Sequence, residues 1–580
     1  MEKLLLFPVH VFSNLLLALA QNGRKHDFNQ QLSIFILCRC YIEVMSICPL
    51  IQRNWSKQGT HAERESGIFL QYNPFFWWIQ KKSLTLQTIM KLLTKHIIIM
   101  KKTTLLPQAS IALLMMLLVA IVGTGCTDSN DNPVEPKPSE LTETEKAELL
   151  EKAYVYTLPL MLMDATYIKM TNIVEPLGQQ APANRLIHAR RLANANTKEV
   201  VTPNVDTNYT QVMMDLSGDA LVLRLPHTDR FCLAQILDAW SNCIAAPVAT
   251  DIEEEYGYYC FTGPNFTGTI PDGMMHIASP TDHVWMLLRT VCMGEDDLPN
   301  VYAIQNEMRT YMLSDFLASG TEYTGKGTYN PDYDFKAPVE YIMTMPMAEY
   351  FARANELMLT NPPAVADAEW LADLKRINVG PGLTFDASVF GSQAQQMWIN
   401  REKNIIAITT PKSQQFVKPN GSWQFYGEPI AEFGTEYYYR ALVAVAALAA
   451  NPVSVAVYPR ANVDSEGLHL NGNSHYRLHI SPDNWPETKA YGFWSVTLYG
   501  EDNFLYDNEL NRYNITDRDN WKLNADGSLD IYISHEPDTV HPNNWLPAPN
   551  DDFHLIFRIY NPVDRIAKNE WTMPVITRID

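Results

Sequence analysis

Residues 490–519 read AYGFWSVTLYGEDNFLYDNELNRYNITDRD. The run 493–499 is aromatic, β-branched and hydroxyl-bearing, the composition of a strand. Alternate side chains of a strand face opposite ways, so Trp494, Val496 and Leu498 share one face, and Phe493, Ser495, Thr497 and Tyr499 the other. The first face is purely apolar and belongs in a core. The second mixes rings with hydroxyls and could hold a ligand. Gly500, Glu501, Asp502 and Asn503 then turn the chain. The stretch predicts an all-β C-terminal domain without naming a reaction.

Working outward, further strands are predicted at 453–458, 475–480, 529–534 and 553–560, with a turn at Asn524-Ala525-Asp526-Gly527. Leu529, Ile531 and Ile533 oppose Asp530, Tyr532 and Ser534; Phe553, Leu555, Phe557 and Ile559 oppose His554, Ile556, Arg558 and Tyr560. Polar faces aligned across such a sheet make a surface suited to sugars and other polar ligands, through rings and directed hydrogen bonds. They also describe an ordinary solvated sheet face.

Upstream, the middle of the chain is helical. Apolar residues three and four apart mark helices at 298–318, 339–359, 366–377 and 388–406, and an Ala-rich segment at 433–450 ends at Pro452. A helix apolar all round should be buried, which makes Arg440 an ion-pair candidate. Between 200 and 291 the period falls to two. Strands at 209–216, 220–225, 231–240, 256–262 and 284–291, with Ser217-Gly218-Asp219 as a hairpin turn, predict a β-sandwich. Before it, Thr142 and Glu145 form a capping box, predicting a helix to about Tyr156 that Pro159 bends or ends, and a second helical piece at 161–170. Asn204 and Asp206, beside Pro203, can bond the local backbone and hold a loop.

From about residue 141 to 579 the chain resembles the bacterial family that joins domain of unknown function 1254 to domain of unknown function 1214. The motifs Thr202-Pro203-Asn204-Val205-Asp206-Thr207-Asn208-Tyr209 and Leu288-Arg289-Thr290 carry the first part. The second rests on residues 493–499, Asn511-Arg512-Tyr513, Asp526-Gly527-Ser528-Leu529, residues 544–549 (NWLPAP) and Arg558-Ile559-Tyr560. Asn208 stands where the family often has Leu. The resemblance implies a mainly β chain with a helical insert: an immunoglobulin-like β-sandwich, an α-helical middle region and a jelly-roll-like C-terminal β-sandwich. It implies no settled activity. The expected divisions are 141–297 for a helix and the first sandwich, 298–450 for the helical region and 451–580 for the second sandwich.

Targeting is written at 100–126. Met100-Lys101-Lys102 is a basic start, 111–122 an apolar run and Gly123-Thr124-Gly125-Cys126 a small-residue end, the pattern of a secretory signal. It resembles a bacterial lipoprotein signal (100–125) with Cys126 as the lipid attachment site, although Gly123 stands where that signal prefers Leu. The polar segment 126–140 reads as a tether. A signal works from the N-terminus, so Met100 is read as the start and 1–99 as a spurious upstream extension. The expected location is the bacterial cell envelope, with the membrane as partner through the lipid anchor.

The 580 residues include 45 Lys and Arg against 65 Asp and Glu, a net charge of −20. Residues 1–125 hold 13 basic and 5 acidic residues, which leaves 32 against 60 in the rest, a net −28. Nucleic acid is therefore not an expected partner, since duplex binding needs clustered Lys and Arg.

The usual nucleophile, zinc-protease, phosphate-loop and dinucleotide motifs are absent from the sequence. His475 and His479 lie on one predicted strand, where four residues span about 13 Å, too far for one zinc. No metal and no cofactor is expected. The Asp/Asn cluster at 502–520 lacks calcium-loop spacing. Cys232, Cys243, Cys260 and Cys292 read as buried thiols, with Cys232 and Cys260 able to sit on neighbouring strands. Two functions fit. One is a lipoprotein binding a glycan or other polar ligand on a two-sandwich scaffold; the alternative is a hydrolase-like enzyme using acids such as Asp206, Asp238 and Asp530 in an interdomain cleft. The candidate ligand residues are Asn204, Asp206, Tyr209, Arg289, Arg512, Tyr513 and Trp545, expected to share a cleft between the sandwiches, with Arg289 as counter-charge to Asp206.

Overall fold

The computed structural model describes residues 140–198 and 201–580. The upstream extension, the signal segment, Cys126 and the tether to residue 139 lie outside them.

A capping box opens the long helix Glu143–Thr171 as its sequence predicts. The Thr142 hydroxyl accepts from the Glu145 amide at 3.2 Å, and the Glu145 carboxylate accepts from the Thr142 amide at 2.9 Å. Of the two expectations at Pro159, a bend or an end, the end does not occur; the helix runs through it. An internal proline costs about 3 kcal/mol, but Leu158, Leu160 and Leu162 beside it are all fully buried, each contributing roughly 1.5–3 kcal/mol. Burial wins. This helix is the hub of the helical region, sharing one core with Pro338–Thr344, Met347–Thr360, Ala368–Lys375, Ser392–Ser413 and Tyr437–Ala446 around Leu150, Tyr154, Phe351 and Trp398. The helix predicted at 339–359 is two, split at Met345 and Pro346. Arg440 makes no ion pair among the described residues; its guanidinium sits 5.3–5.5 Å from the rings of Tyr156, Trp240 and Tyr437.

The first sandwich packs two sheets. One has the order β1-β2-β8-β4-β5, built from β1 (Ile187–His188), β2 (Thr207–Asp215), β4 (Cys232–Asp238), β5 (Cys243–Ala245) and β8 (His283–Val291). The other has β3 (Leu221–Pro226), β6 (Tyr256–Thr262), β7 (Met275–Ala278) and β9 (Arg309–Met312) in the order β7-β6-β3-β9. Val212, Met214, Leu223, Ile236, Phe261 and Met286 fill the space between. Strand β9 interrupts the helix predicted at 298–318, leaving Leu298–Glu307 and Leu313–Ser319. Cys232 and Cys260 fall in different sheets, and the four cysteines among the described residues are buried free thiols.

In the second sandwich, β10 (Val417–Asn420) and β11 (Trp423–Tyr426) join a sheet with β12 (Ala456–Val457), β13 (Arg460–Ala461), β15 (Thr488–Gly500), β16 (Asn514–Thr516) and β19 (Phe553–Pro562). Helical periodicity does not reveal β10 and β11, which lie within the segment expected to be helical. The opposing sheet has the order β18-β17-β14-β20: β14 (Tyr476–Ile480), β17 (Leu529–Ser534), β18 (Trp545–Pro547) and β20 (Val575–Arg578). Between them lie Trp494, Val496, Leu498, Leu555, Phe557, Leu478, Ile531 and Ile533, which is the inward face read from the sequence.

The outward face of the β15/β19 pair is also buried, because the first sandwich covers it. Phe493 and Tyr560 pack against Phe231, Leu233 and Val291 of the first sandwich. The two sandwiches meet sheet against sheet.

Candidate functional site

The loop before β2 lies on this covered face. The Asn204 carbonyl oxygen accepts from the Asp206 amide at 2.7 Å, the local brace expected of Asn in a turn, and its amide donates to the Tyr560 hydroxyl at 2.5 Å. Asp206 is buried, and both carboxylate oxygens are occupied. Oδ2 accepts from the Ser495 hydroxyl at 2.5 Å; Oδ1 accepts from the Asn514 amide at 2.8 Å and from Arg518 at 3.2 Å. The Tyr499 hydroxyl donates to the Pro203 carbonyl at 2.8 Å, while Arg558 donates to that hydroxyl at 2.7 Å and to the Thr202 carbonyl at 3.2 Å. The loop is latched to the second sandwich by charge-assisted bonds, the stronger class.

Arg289 is not the counter-charge to Asp206. It lies on the covered face of β8, opposite Tyr209, and donates to the Gln235 side chain at 2.8 Å and the Ala449 carbonyl at 3.1 Å. A strand residue reaches only what its face meets, and this face meets the end of the Tyr437–Ala446 helix. Arg518 takes the expected role, and its guanidinium also lies 4.3 Å from the Phe493 ring. Asn208, in the position where Leu was expected, accepts from Gln305 at 3.2 Å.

Of the candidates from the second sandwich, only Tyr513 touches the loop region, through the Ala195 amide at 3.3 Å and packing near Val205. Arg512 turns away and donates to the Pro542 and Trp545 carbonyls at 2.8 and 2.9 Å. The Trp545 indole donates to Ser534. Thus Asn204, Asp206 and Tyr513 converge at the junction, Tyr209 and Arg289 lie along the same seam, and Arg512 with Trp545 brace the far sheet. The convergence is a packed seam rather than an open cleft. Ser495, Asn514, Arg518, Tyr499 and Arg558 complete it. Ser495 and Tyr499 are visible in the sequence as the mixed face of β15, but nothing there names the loop that covers them.

The three acids considered for hydrolysis have separate partners. Asp238 accepts from Trp240 and Asn242, and Asp530 from His479 at 2.6 Å and Asn524 at 2.9 Å. Arg518 does bridge Asp206 to Asp517, its two terminal nitrogens lying 3.2 and 3.4 Å from their oxygens. Burial pushes the Asp517 carboxyl up to about 6 against the opposing charge of Arg518. Among the described residues no group of three His, Cys, Asp or Glu is placed to hold a metal. His475 and His479 pair separately, with Asp580 and Asp530.

The family model for the protein of unknown function DUF1254 matches residues 183–312, and that for DUF1214 matches 455–564. The chain joins a DUF1254 region to a DUF1214 region. The loop 202–206 belongs to DUF1254, and β15 and β19, which hold it, belong to DUF1214, so the latch ties the two families' regions together. The crystal structure of the VPA0106 protein from Vibrio parahaemolyticus matches with a TM-score of 0.56 at 20% identity, covering 75% of this chain and all of that one. A putative uncharacterized protein from Burkholderia cenocepacia matches at 11% identity with a TM-score of 0.35, over 76% of this chain and 94% of that one. The first likeness is one of fold. No curated protein matches the chain at a significant level.

Proposed function

We propose that this DUF1254–DUF1214 chain is a cell-envelope lipoprotein that binds a glycan or another polar ligand on the solvent face of the β18-β17-β14-β20 sheet. One observation carries the binding part. Registers place Trp545, Tyr532, Arg477 and Thr577 in a row across all four strands, with Trp545 buried at its end and the other three half-buried. In that row the Tyr532 ring stacks on His541 with centroids 4.0 Å apart. Beside it the Arg477 and His479 side chains are 43% and 40% exposed and flank the Asp530 carboxylate, which pairs with Arg477 Nε at 4.0 Å and with His479 at 2.6 Å. Rings offer a stacking surface and the ionic groups directed hydrogen bonds, the combination that recognises sugars. The hydrolase alternative gains no comparable support, because Asp206 is enclosed with every oxygen bonded.

A glycan array followed by calorimetric titration of the best hit tests the binding reading. Binding that Tyr532→Ala or Arg477→Ala reduces at least tenfold supports it; equal affinity in both variants, or no hit, ends it. The anchor is tested separately. Cys126→Ala should move the protein from the membrane to the soluble fraction, and retention of the variant would remove the lipoprotein assignment.

A further inference from the structure

The covered face of the β15/β19 pair carries more polar groups than its neighbours satisfy. Among the described residues, Arg558 Nη1, Thr497 Oγ and His554 Nε2 have no hydrogen-bond partner. They are enclosed, with exposures of 4%, 0% and 3%. Thr497 pairs with Ile556, so Arg558 and His554 are its diagonal neighbours on either side. Such diagonals are about 7–8 Å apart, and their side chains share a face. The arginine leans toward the histidine: Arg558 Nη2 donates to the Tyr499 hydroxyl, and the Tyr499 ring stacks on His554 at 5.4 Å. The three free groups therefore lie on one patch of this face, which Ile556 shares.

Among the described residues the charge in that patch, Arg558, makes no ion pair. Asp206 is within electrostatic reach of Arg558, but Ser495, Asn514 and Arg518 already bond its oxygens. His554 cannot add a negative charge, and burial together with Arg460 and Arg558 holds it neutral, down to about 3. A buried cation left without a partner is costly, and each unmet buried polar group adds to that cost. Water could meet the hydrogen bonds but not the charge.

We propose that the seam between the two sandwiches binds a small oxyanion, a carboxylate or phosphate group, on Arg558 Nη1, Thr497 Oγ and the His554 imidazole. The site is independent of the outer-sheet reading and uses none of its residues.

The probes are inorganic phosphate and acetate, each titrated calorimetrically into the full chain at matched chloride ionic strength. Saturable binding of at least one, with a raised melting midpoint, is expected, and preference between them separates the tetrahedral from the planar group. Thr497→Val keeps the shape and removes the hydroxyl; affinity should fall roughly tenfold, the loss of one hydrogen bond to a charged group. His554→Asn gives a second reading should the first variant fold poorly. Absence of saturable binding to the natural chain, or unchanged affinity in whichever variants fold, overturns the proposal. Neutral glycans should not compete, so a failed anion site and a failed glycan site are told apart.

Discussion

The second sandwich has two outward faces with the same alternating pattern and different surroundings. On β15 and β19 the outward residues are Phe493, Ser495, Thr497, Tyr499, His554, Ile556, Arg558 and Tyr560, all of them buried, and the first sandwich packs on this face against Phe493 and Tyr560. On β14 and β17 they are Arg477, His479 and Tyr532, which are half-buried, and Asp530, which is buried between them. Both faces carry rings beside charged and hydroxyl groups. What separates them is the covering: on the junction face Asp206 arrives with a carboxylate that satisfies three donors, and on the open face water remains available. A polar strand face in a sequence marks a place where something polar must be met, and a neighbouring domain can be that partner as readily as a ligand.

The largest consequence of this difference concerns stability. Asp206→Ala takes from Arg518 the more deeply buried of its two carboxylates, leaving Asp517, and takes an acceptor from Ser495 and Asn514. Breaking a buried pair in this way costs about 3 kcal/mol. The urea midpoint of Asp206→Ala should fall accordingly, with glycan affinity on the far sheet unchanged. An unshifted midpoint would show that the latch contributes nothing and that the two faces are energetically alike.

The unequal surroundings also explain what the sequence can and cannot display. The inward face of β15 is legible because Trp494, Val496 and Leu498 alternate without exception, and burying them dominates the energetics of the strand. The capping box at Thr142 and Glu145 is legible because its bonds are local. Pro159 misleads because its penalty is local while the burial that outweighs it is tertiary. Strands β9, β10 and β11 are only four residues each and sit among helical segments, too short for a period-two signal to stand out. Arg289 and Arg518 both lie far from Asp206 in the chain, and the choice between them depends on which sheet face meets the loop. That is a property of the domain junction, and no spacing within either domain encodes it.

A smaller effect should appear in the pH dependence of stability. Asp517 sits at the rim of the latch, and burial raises its carboxyl from an ordinary 3.8 to about 6, with Arg518 opposing the rise. Between about pH 4 and 6 the folded chain therefore holds a proton that the unfolded chain has released. Its contribution is favourable below the unfolded value and is lost as pH rises through 6. Partial exposure of the side chain, 26%, limits the effect to about 1–2 kcal/mol. Asp517→Asn should remove that slope and be the more stable chain at pH 7.5. Parallel stability profiles for the two chains between pH 4 and 7.5 would mean that the junction face is wetter than its packing implies.

The smallest expected change in stability belongs to the open face. Tyr532 lies on β17 between Arg477 and Trp545, and its ring is stacked on His541 rather than enclosed by a second sheet. Tyr532→Ala removes that stacking, an aromatic contact of roughly 0.5–1.5 kcal/mol, but leaves no buried charge or unmet hydroxyl behind. Its urea midpoint should shift by less than half as much as that of Asp206→Ala. Glycan affinity should respond in the opposite order, falling with Tyr532→Ala and holding with Asp206→Ala. Two measurements on two variants thus cross over if one face binds the ligand and the other joins the domains. If both variants lost stability together and neither lost affinity, the open row would be a structural face like the other, and ligand binding would have to be sought elsewhere on the molecule.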